Sequence, residues 1–340
     1  MSSRTTRALL ACLTAVVLVA LSGCSGADSA KESPPASAAP KPVTALAKGT
    51  CWGAEQLPET LGAEGFDAWV KKYAGGDKAL GASMRDDAAF STPIACTKPH
   101  TLELYNIVGL DPRLDAKIKD YTDVLDPSTP LYRAVRDQVY GRCLAPSVYG
   151  AAQRRAGGLP VQLGPSLSAK GGLHVAWDPF PAHLWAKGQH KFVCTFEQDD
   201  PGTLMFADLP TRRTPIAARV CVNTPRTYVP CRSPHQAEDI AEMTLDTAIE
   251  RGQITGRAAV RKGPKGQIVV ISDAQYAKLD RICQTLFRSV STVGGGVTAR
   301  AYLGSADMWP DKTGSYLASC FALKPFDPPP KSRGTVFNRR

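Results

Sequence analysis

An eight-residue pattern occurs twice in this chain, as Cys96-Thr97-Lys98-Pro99-His100-Thr101-Leu102-Glu103 and as Cys231-Arg232-Ser233-Pro234-His235-Gln236-Ala237-Glu238. Four positions agree at identical spacing, C-x-x-P-H-x-x-E, in a chain with only five histidines. Chance explains this poorly, so the chain reads as a tandem repeat, and that has to be settled before any fold argument. The flanks extend the match. Cys51 precedes the first copy and Cys143 and Cys194 follow it; Cys221 precedes the second and Cys283 and Cys320 follow it. The last cysteine of each four shares a context, Trp185 then Gly188 before Cys194, and Trp309 then Gly314 before Cys320.

Two segments are set aside from the fold at the outset. Arg4 and Arg7 precede an apolar run from Ala8 to Leu21, fourteen residues, too short to span a bilayer and the right length for a signal-peptide core. The run ends Leu21-Ser22-Gly23-Cys24, which resembles the lipobox of bacterial lipoproteins. That resemblance implies removal of residues 1–23 and a diacylglyceryl-modified, acylated Cys24. Two or three acyl chains, at roughly 0.8 kcal/mol per buried methylene, would hold the chain at the membrane far better than one. Residues 24–48 are Ser, Ala, Pro and Lys with almost no large apolar side chain, so they are expected to form a disordered tether. Residues 326–340, rich in Pro and Arg, are expected to be a disordered basic tail.

The ten cysteines then resolve. Without Cys12 in the signal and Cys24 at the lipid, each repeat holds four, and an even set in an exported chain argues for disulfides. Repeat symmetry confines pairing within each half and leaves three connectivities. The expected one is Cys51–Cys96, Cys143–Cys194, Cys221–Cys231 and Cys283–Cys320. Its motive lies in the second repeat, where the eleven residues from Cys221 to Cys231 read as two short strands around Asn223-Thr224-Pro225, bringing the sulfurs together. A Cys231–Cys283 bridge would overturn it.

Ser272-Asp273-Ala274-Gln275 is a capping box that starts a helix carrying Tyr276, Leu279, Cys283, Leu286 and Val290 on one stripe. Thr129-Pro130 starts its counterpart, with Tyr132, Val135, Val139 and Cys143. Leu102, Leu104, Val108 and Leu110 alternate as a strand does. The residues after His235 fit a helical stripe about as well, but the shared fold favours a strand in both copies. Glu197 to Gly202 reads as a turn, and Pro210 to Pro215 as a short linker. The first copy holds thirty-five more residues than the second between its first two cysteines, with an amphipathic helix expected near Gly65–Tyr73.

The order Cys, C-x-x-P-H-x-x-E, helical Cys, then Trp, Gly and Cys resembles the septum-formation-related domain of actinobacterial exported and membrane proteins, in two copies over residues 49–200 and 213–325. The resemblance implies a small extracytoplasmic domain with a link to septum formation, and it brings no catalytic residues. The expected fold is α+β: two tandem small disulfide-stapled domains, each an antiparallel sheet with one main helix.

The chemistry that can be weighed is sparse. Formal charge is +10, or +8 once Arg4 and Arg7 leave with the signal. Such a chain would be drawn to anionic headgroups and acidic wall polymers within a Debye length. Its cations are scattered, and its location argues against nucleic acid. Pro99, His100 and Glu103, with Pro234, His235 and Glu238, are the repeated motif residues. On a strand, residues three apart face opposite sides, which argues against a ready-made dyad, and no matched nucleophile accompanies them. One His and one Glu per copy fall short of the ligands zinc needs, and His174, His183 and His190 lack a short ligand spacing, so no metal and no cofactor are expected. Trp185 and Trp309 are candidates for an aromatic binding surface or for caps on a small core. The function expected is a lipid-anchored, extracytoplasmic, non-enzymatic binding or scaffold module at the cell membrane, with envelope proteins or wall polymer as partners. The alternative is an envelope hydrolase or transferase acting through the repeated His and Glu.

Overall fold

The computed structural model describes residues 45–53, 71, 90, 92–126, 129–224, 227–255, 260–263, 266–269, 271–293, 296–303, 315–324 and 335–337. The expectations for residues 1–23, Cys24, the tether as far as Thr44, the helix near Gly65–Tyr73 apart from Lys71, and Trp309 lie outside the described residues.

Two antiparallel sheets form, each backed by one long helix. The first contains β1 (Thr50–Trp52), β2 (Pro93–Ile94), β3 (His100–Gly109), β5 (Leu173–Pro179) and β6 (Lys191–Gly202), in the order β2-β1-β3-β6-β5. The second contains β7 (Val220–Thr224), β8 (Thr227–Val229), β9 (Ala237–Thr244), β12 (Thr298–Tyr302) and β13 (Leu317–Leu323), in the order β8-β7-β9-β13-β12. The orders are the same element for element, and so are the registers. Cys51 lies opposite Glu103 and Cys221 opposite Glu238. Cys194 lies opposite Asn106 and Cys320 opposite Ala241, three residues beyond the motif glutamate in both.

The helices start where local chemistry dictates. Thr129 accepts a hydrogen bond from the Tyr132 N–H and Pro130 occupies the first turn of α2 (Pro130–Leu144), which follows the one-turn α1 (Pro112–Asp115). Ser272 and Gln275 exchange capping bonds at the start of α6 (Asp273–Val290). Val135, Val139 and Cys143 of α2, and Leu279, Ile282, Cys283, Leu286 and Val290 of α6, are buried against their sheets. The shorter helices are α3 (Val148–Ala156), α4 (Ala182–Trp185) and α5 (Asp246–Glu250); β10 (Val260–Gly263) and β11 (Gly266–Val269) pair as a separate hairpin. Among the described residues no helix is long and apolar enough to cross a membrane.

All four disulfides join the expected partners, Cys51–Cys96, Cys143–Cys194, Cys221–Cys231 and Cys283–Cys320. In each sheet one bridge closes the entry to the motif strand and the other pins the helix to the strand of the fourth cysteine.

Three expectations are corrected. Glu197 to Gly202 does not turn but prolongs β6, because Gln198 pairs with Leu173 and its side-chain amide donates to the carbonyls of His100, Gly202 and Leu204. The tail expected to be disordered over 326–340 is held at Thr335–Phe337, where Val336 and Phe337 are buried in the second core. The bond from Val336 N–H to Glu238 at 2.8 Å fixes it there. Residues 148–164 lie inside the first copy by sequence, yet Tyr149, Ala152 and Leu163 join the second core, and β4 (Gln162–Gly164) pairs with β9. In the first sheet the equivalent stretch, Ile107–Gly109, pairs with β6 and, among the described residues, carries no counterpart of β4.

Closing a loop of 51 residues removes more unfolded-state entropy than closing one of 10. Replacing Cys143 and Cys194 together by Ala is therefore expected to cost about 4 kcal/mol in denaturant unfolding, against about 3 kcal/mol for Cys221 with Cys231. Phe337→Ala is expected to cost about 3 kcal/mol by the same measurement; no loss would mean that the tail contact carries no stability.

Candidate functional site

The repeated imidazoles are closed off. His100 and His235 are buried, and Nδ1 of each lies 2.9 Å from a carbonyl two residues back, Lys98 O and Ser233 O. A carbonyl only accepts, so Nδ1 of each ring carries a proton. In the second copy Lys324 Nζ stands 3.1 Å from His235 Nε2 and donates to it. Burial pushes the Lys324 ammonium down, with Glu238 opposing the shift.

The motif glutamates serve a different purpose. Glu103 Oε2 accepts from the Phe206 N–H at 2.6 Å, and Glu238 accepts from the Val336 N–H at 2.8 Å and from the Thr335 hydroxyl at 3.0 Å. Burial raises the Glu103 carboxyl, and the Phe206 N–H and His100 draw it partly back. Each glutamate thus clamps the segment that follows the last strand of its own unit. The sequence carried a signal for this that the motif reading missed: Gly202-Thr203-Leu204-Met205-Phe206 and Gly334-Thr335-Val336-Phe337. All four side chains of the two His-Glu pairs are buried, at most 5% exposed.

Trp185 does not form a binding surface. It is only 5% exposed, stacks on His190 at 4.6 Å and meets Phe192 and Tyr121 edge-on, so it caps the first core. Of the other histidines, His174 pairs with Asp199 and His190 with Asp115. Among the described residues no cluster of three His, Cys, Asp or Glu could hold a metal ion.

The open site lies elsewhere, on the face of the second sheet turned away from α6. Cys320 reaches Cys283 on α6, so Cys320 and its partner Ala241 face the helix. Strand alternation sends Ser319 and Phe321 to the opposite face. On β9 a bulge matters: Cys320 pairs with Ala241 but Phe321 pairs with Asp239, leaving Ile240 unopposed. Ile240 and Ala241 both enter the core, and Asp239 and Glu242, three apart, end on the same outer face. There they floor a groove of about 1070 Å³. Its walls are Tyr302, Leu317 and Phe321 on one side, Tyr228 and Val229 on the other, with Ser166–Lys170 and Ile216–Arg219 closing one flank. Tyr228 is 70% exposed, the one exposed large apolar side chain among the described residues.

Asp239 is 7% exposed and its Oδ1 has no hydrogen-bond partner. Burial pushes its carboxyl up to about 7; hydrogen bonds from the Ser319 and Ser166 hydroxyls and the Ala241 N–H pull it down, and Glu242 pushes it further up. The first unit has no such pair. With the motif aligned, Asp239 corresponds to Leu104 and Glu242 to Ile107. Comparing the copies column by column would have found both acids.

Comparison with family models, with curated proteins and with solved structures finds no match for this chain.

The folded carboxyl of Asp239 titrates above its unfolded value, so the native state holds that proton more tightly and stability falls as pH rises from about 4 to about 7. Asp239→Asn keeps the shape and removes the buried charge. The variant is expected to gain on the order of 2–4 kcal/mol over the parent at pH 8, with the gain shrinking steadily toward pH 4. Thermal unfolding across that range checks it, and a gain independent of pH would refute the assignment.

Proposed function

We propose that the chain is a lipid-anchored, extracytoplasmic binding module of the cell envelope and that the groove on its second sheet is the place where it binds. The groove carries this reading. Its volume of about 1070 Å³ is the size of a cleft for one small molecule, apolar at the walls with a few polar groups at the floor, as ligand sites are built. The repeated His and Glu, buried against their own turns and tails, are put to structural use instead.

The cysteines and the N-terminal residues support the location. Four disulfides, each joining sequence-matched partners, belong to an oxidising compartment. Leu21-Ser22-Gly23-Cys24 after a short apolar run supplies the lipidation motif, and residues 24–48 the tether. The septum-formation-related resemblance supports a role in envelope or septum assembly, with an envelope protein or wall polymer as partner.

Cys24→Ser is the decisive variant. Expressed in its own cell type, the parent chain is expected in the membrane fraction with incorporated alkyne-palmitate label, and the variant without label and outside that fraction. Retention of Cys24→Ser in the membrane with unchanged label would overturn the anchor. A maleimide reagent that modifies the denatured, unreduced chain would overturn the oxidising location.

A further inference from the structure

We infer that the groove recognises a protonated amine carried on an apolar body, with Asp239 and Glu242 as its counter-charges. This rests on the reading of the groove as the binding site and adds the chemistry of what enters it.

One oxygen of Asp239 lacks a partner. Asp239 Oδ1 is buried and receives no hydrogen bond, and among the described residues no Lys or Arg nitrogen forms an ion pair with that carboxylate. An orphaned buried acceptor is costly, and a charged one more so. The fold does not require it, since the same place in the first unit is filled by the fully buried Leu104. The bulge on β9 then adds Glu242 to the same floor, where the first unit has Ile107. Two carboxylates side by side on an apolar floor repel one another, and a donor bearing positive charge relieves both at once. A neutral hydroxyl would supply a hydrogen bond but leave the repulsion. The aromatic faces of Tyr228, Tyr302 and Phe321 at the walls suit a cation and the apolar body behind it.

The charged groups around Asp239 set the pH behaviour. Glu242 on β9 raises its carboxyl, and Ser319 and Ser166 lower it. Burial raises the phenols of Tyr228 on β8 and of the buried Tyr149 on α3, so both are neutral in this range; Tyr302 on β12 lines the same groove. Arg219, Lys170 and Arg232 line the flank and rim. Arg219 is turned to Thr214 O at 2.7 Å and to Glu238 at 3.9 Å. Asp239 is thus the group that changes charge near neutrality, and an amine that stays protonated throughout is held more tightly as pH rises.

The test uses tryptamine and its uncharged analogue N-acetyltryptamine, titrated calorimetrically into the full chain reconstituted in nanodiscs of neutral lipid. Tryptamine is expected to bind roughly 10- to 100-fold more tightly than N-acetyltryptamine, the range for a hydrogen bond to a charged group. It is expected to bind roughly tenfold more tightly at pH 8 than at pH 6, given a carboxyl near 7. Asp239→Asn should abolish the pH dependence and reduce the preference, and Asp239→Asn combined with Glu242→Gln should abolish the preference as well. Ser319→Trp, which fills the groove, should abolish binding of both. Equal affinity for the two probes, lost in Ser319→Trp and untouched by Asp239→Asn, would overturn the amine inference and leave the groove as a site. Binding of neither probe to the parent would overturn the amine and the groove together, whatever the Cys24 experiment shows about the anchor.

Discussion

The disulfide between the third and fourth cysteine of each repeat is the constraint from which the rest follows. Cys143–Cys194 and Cys283–Cys320 fasten α2 and α6 to β6 and β13, and so decide which face of each sheet is the core. In a strand the side-chain period is two, so fixing one residue toward the helix fixes the aim of its neighbours. Cys320 toward α6 puts Ser319 and Phe321 on the outer face, and Ala241 opposite it carries β9 along. The same logic holds in the first sheet through Cys194 and Asn106. A one-residue slip of either strand would break the bridge and reverse both faces.

Within that shared frame the two copies differ where the frame is indifferent. The bulge just beyond the motif glutamate gives each sheet an extra residue facing the core, Ile240 in the second. The first copy fills the adjoining outer positions with Leu104 and Ile107, and both pack into its core cluster. The second fills them with Asp239 and Glu242 and leaves the face open as a groove. A burial cost borne by one copy and absent from its twin on the same scaffold points to use rather than to folding.

What could be read from the sequence followed the range of the interaction. The capping box at Ser272 and Gln275 and the Thr129-Pro130 start are local, set within a few residues, and they stand. The cysteine pairing was legible because a separation of 10 forces Cys221 and Cys231 together and the repeat carries the rule to the first half. The turn expected at Glu197–Gly202 does not form: Asp199, Asp200 and Pro201 are turn residues, but β5 pairs alongside and Gln198 holds the strand straight. The docking of Val336 on Glu238 spans 98 positions and rests on the short segment Thr335–Phe337, too short to show a period. The groove was illegible for a related reason. Asp239 and Glu242 three apart on a regular strand would face opposite ways, and only the pairing across to β13 reveals the bulge that unites them.

The second unit's groove also depends on chain that belongs, by sequence, to the first. After α2 ends, α3 crosses onto the second core and β4 zips to Glu242–Thr244 of β9. The residues that follow, Ser166 to Lys170, become the groove's flank, and Ser166 supplies a hydroxyl to Asp239. The crossing is held at a polar junction. Arg136 of α2 reaches Asp246 of α5 at 3.3 Å, and Asp246 in turn accepts from the Tyr316 N–H just before β13. Tyr140 of α2 packs so closely over Gly164 that a Cβ there would collide with its hydroxyl, so glycine at this position lets β4 sit where it does without displacing Tyr140. A lone second copy would therefore present the acidic floor without its wall and with Asp239 stripped of one hydroxyl. The groove on the second sheet is completed by β4 and the residues after it, which reach it from the chain between α2 and β5, and this gives the two sheets a physical reason to remain joined.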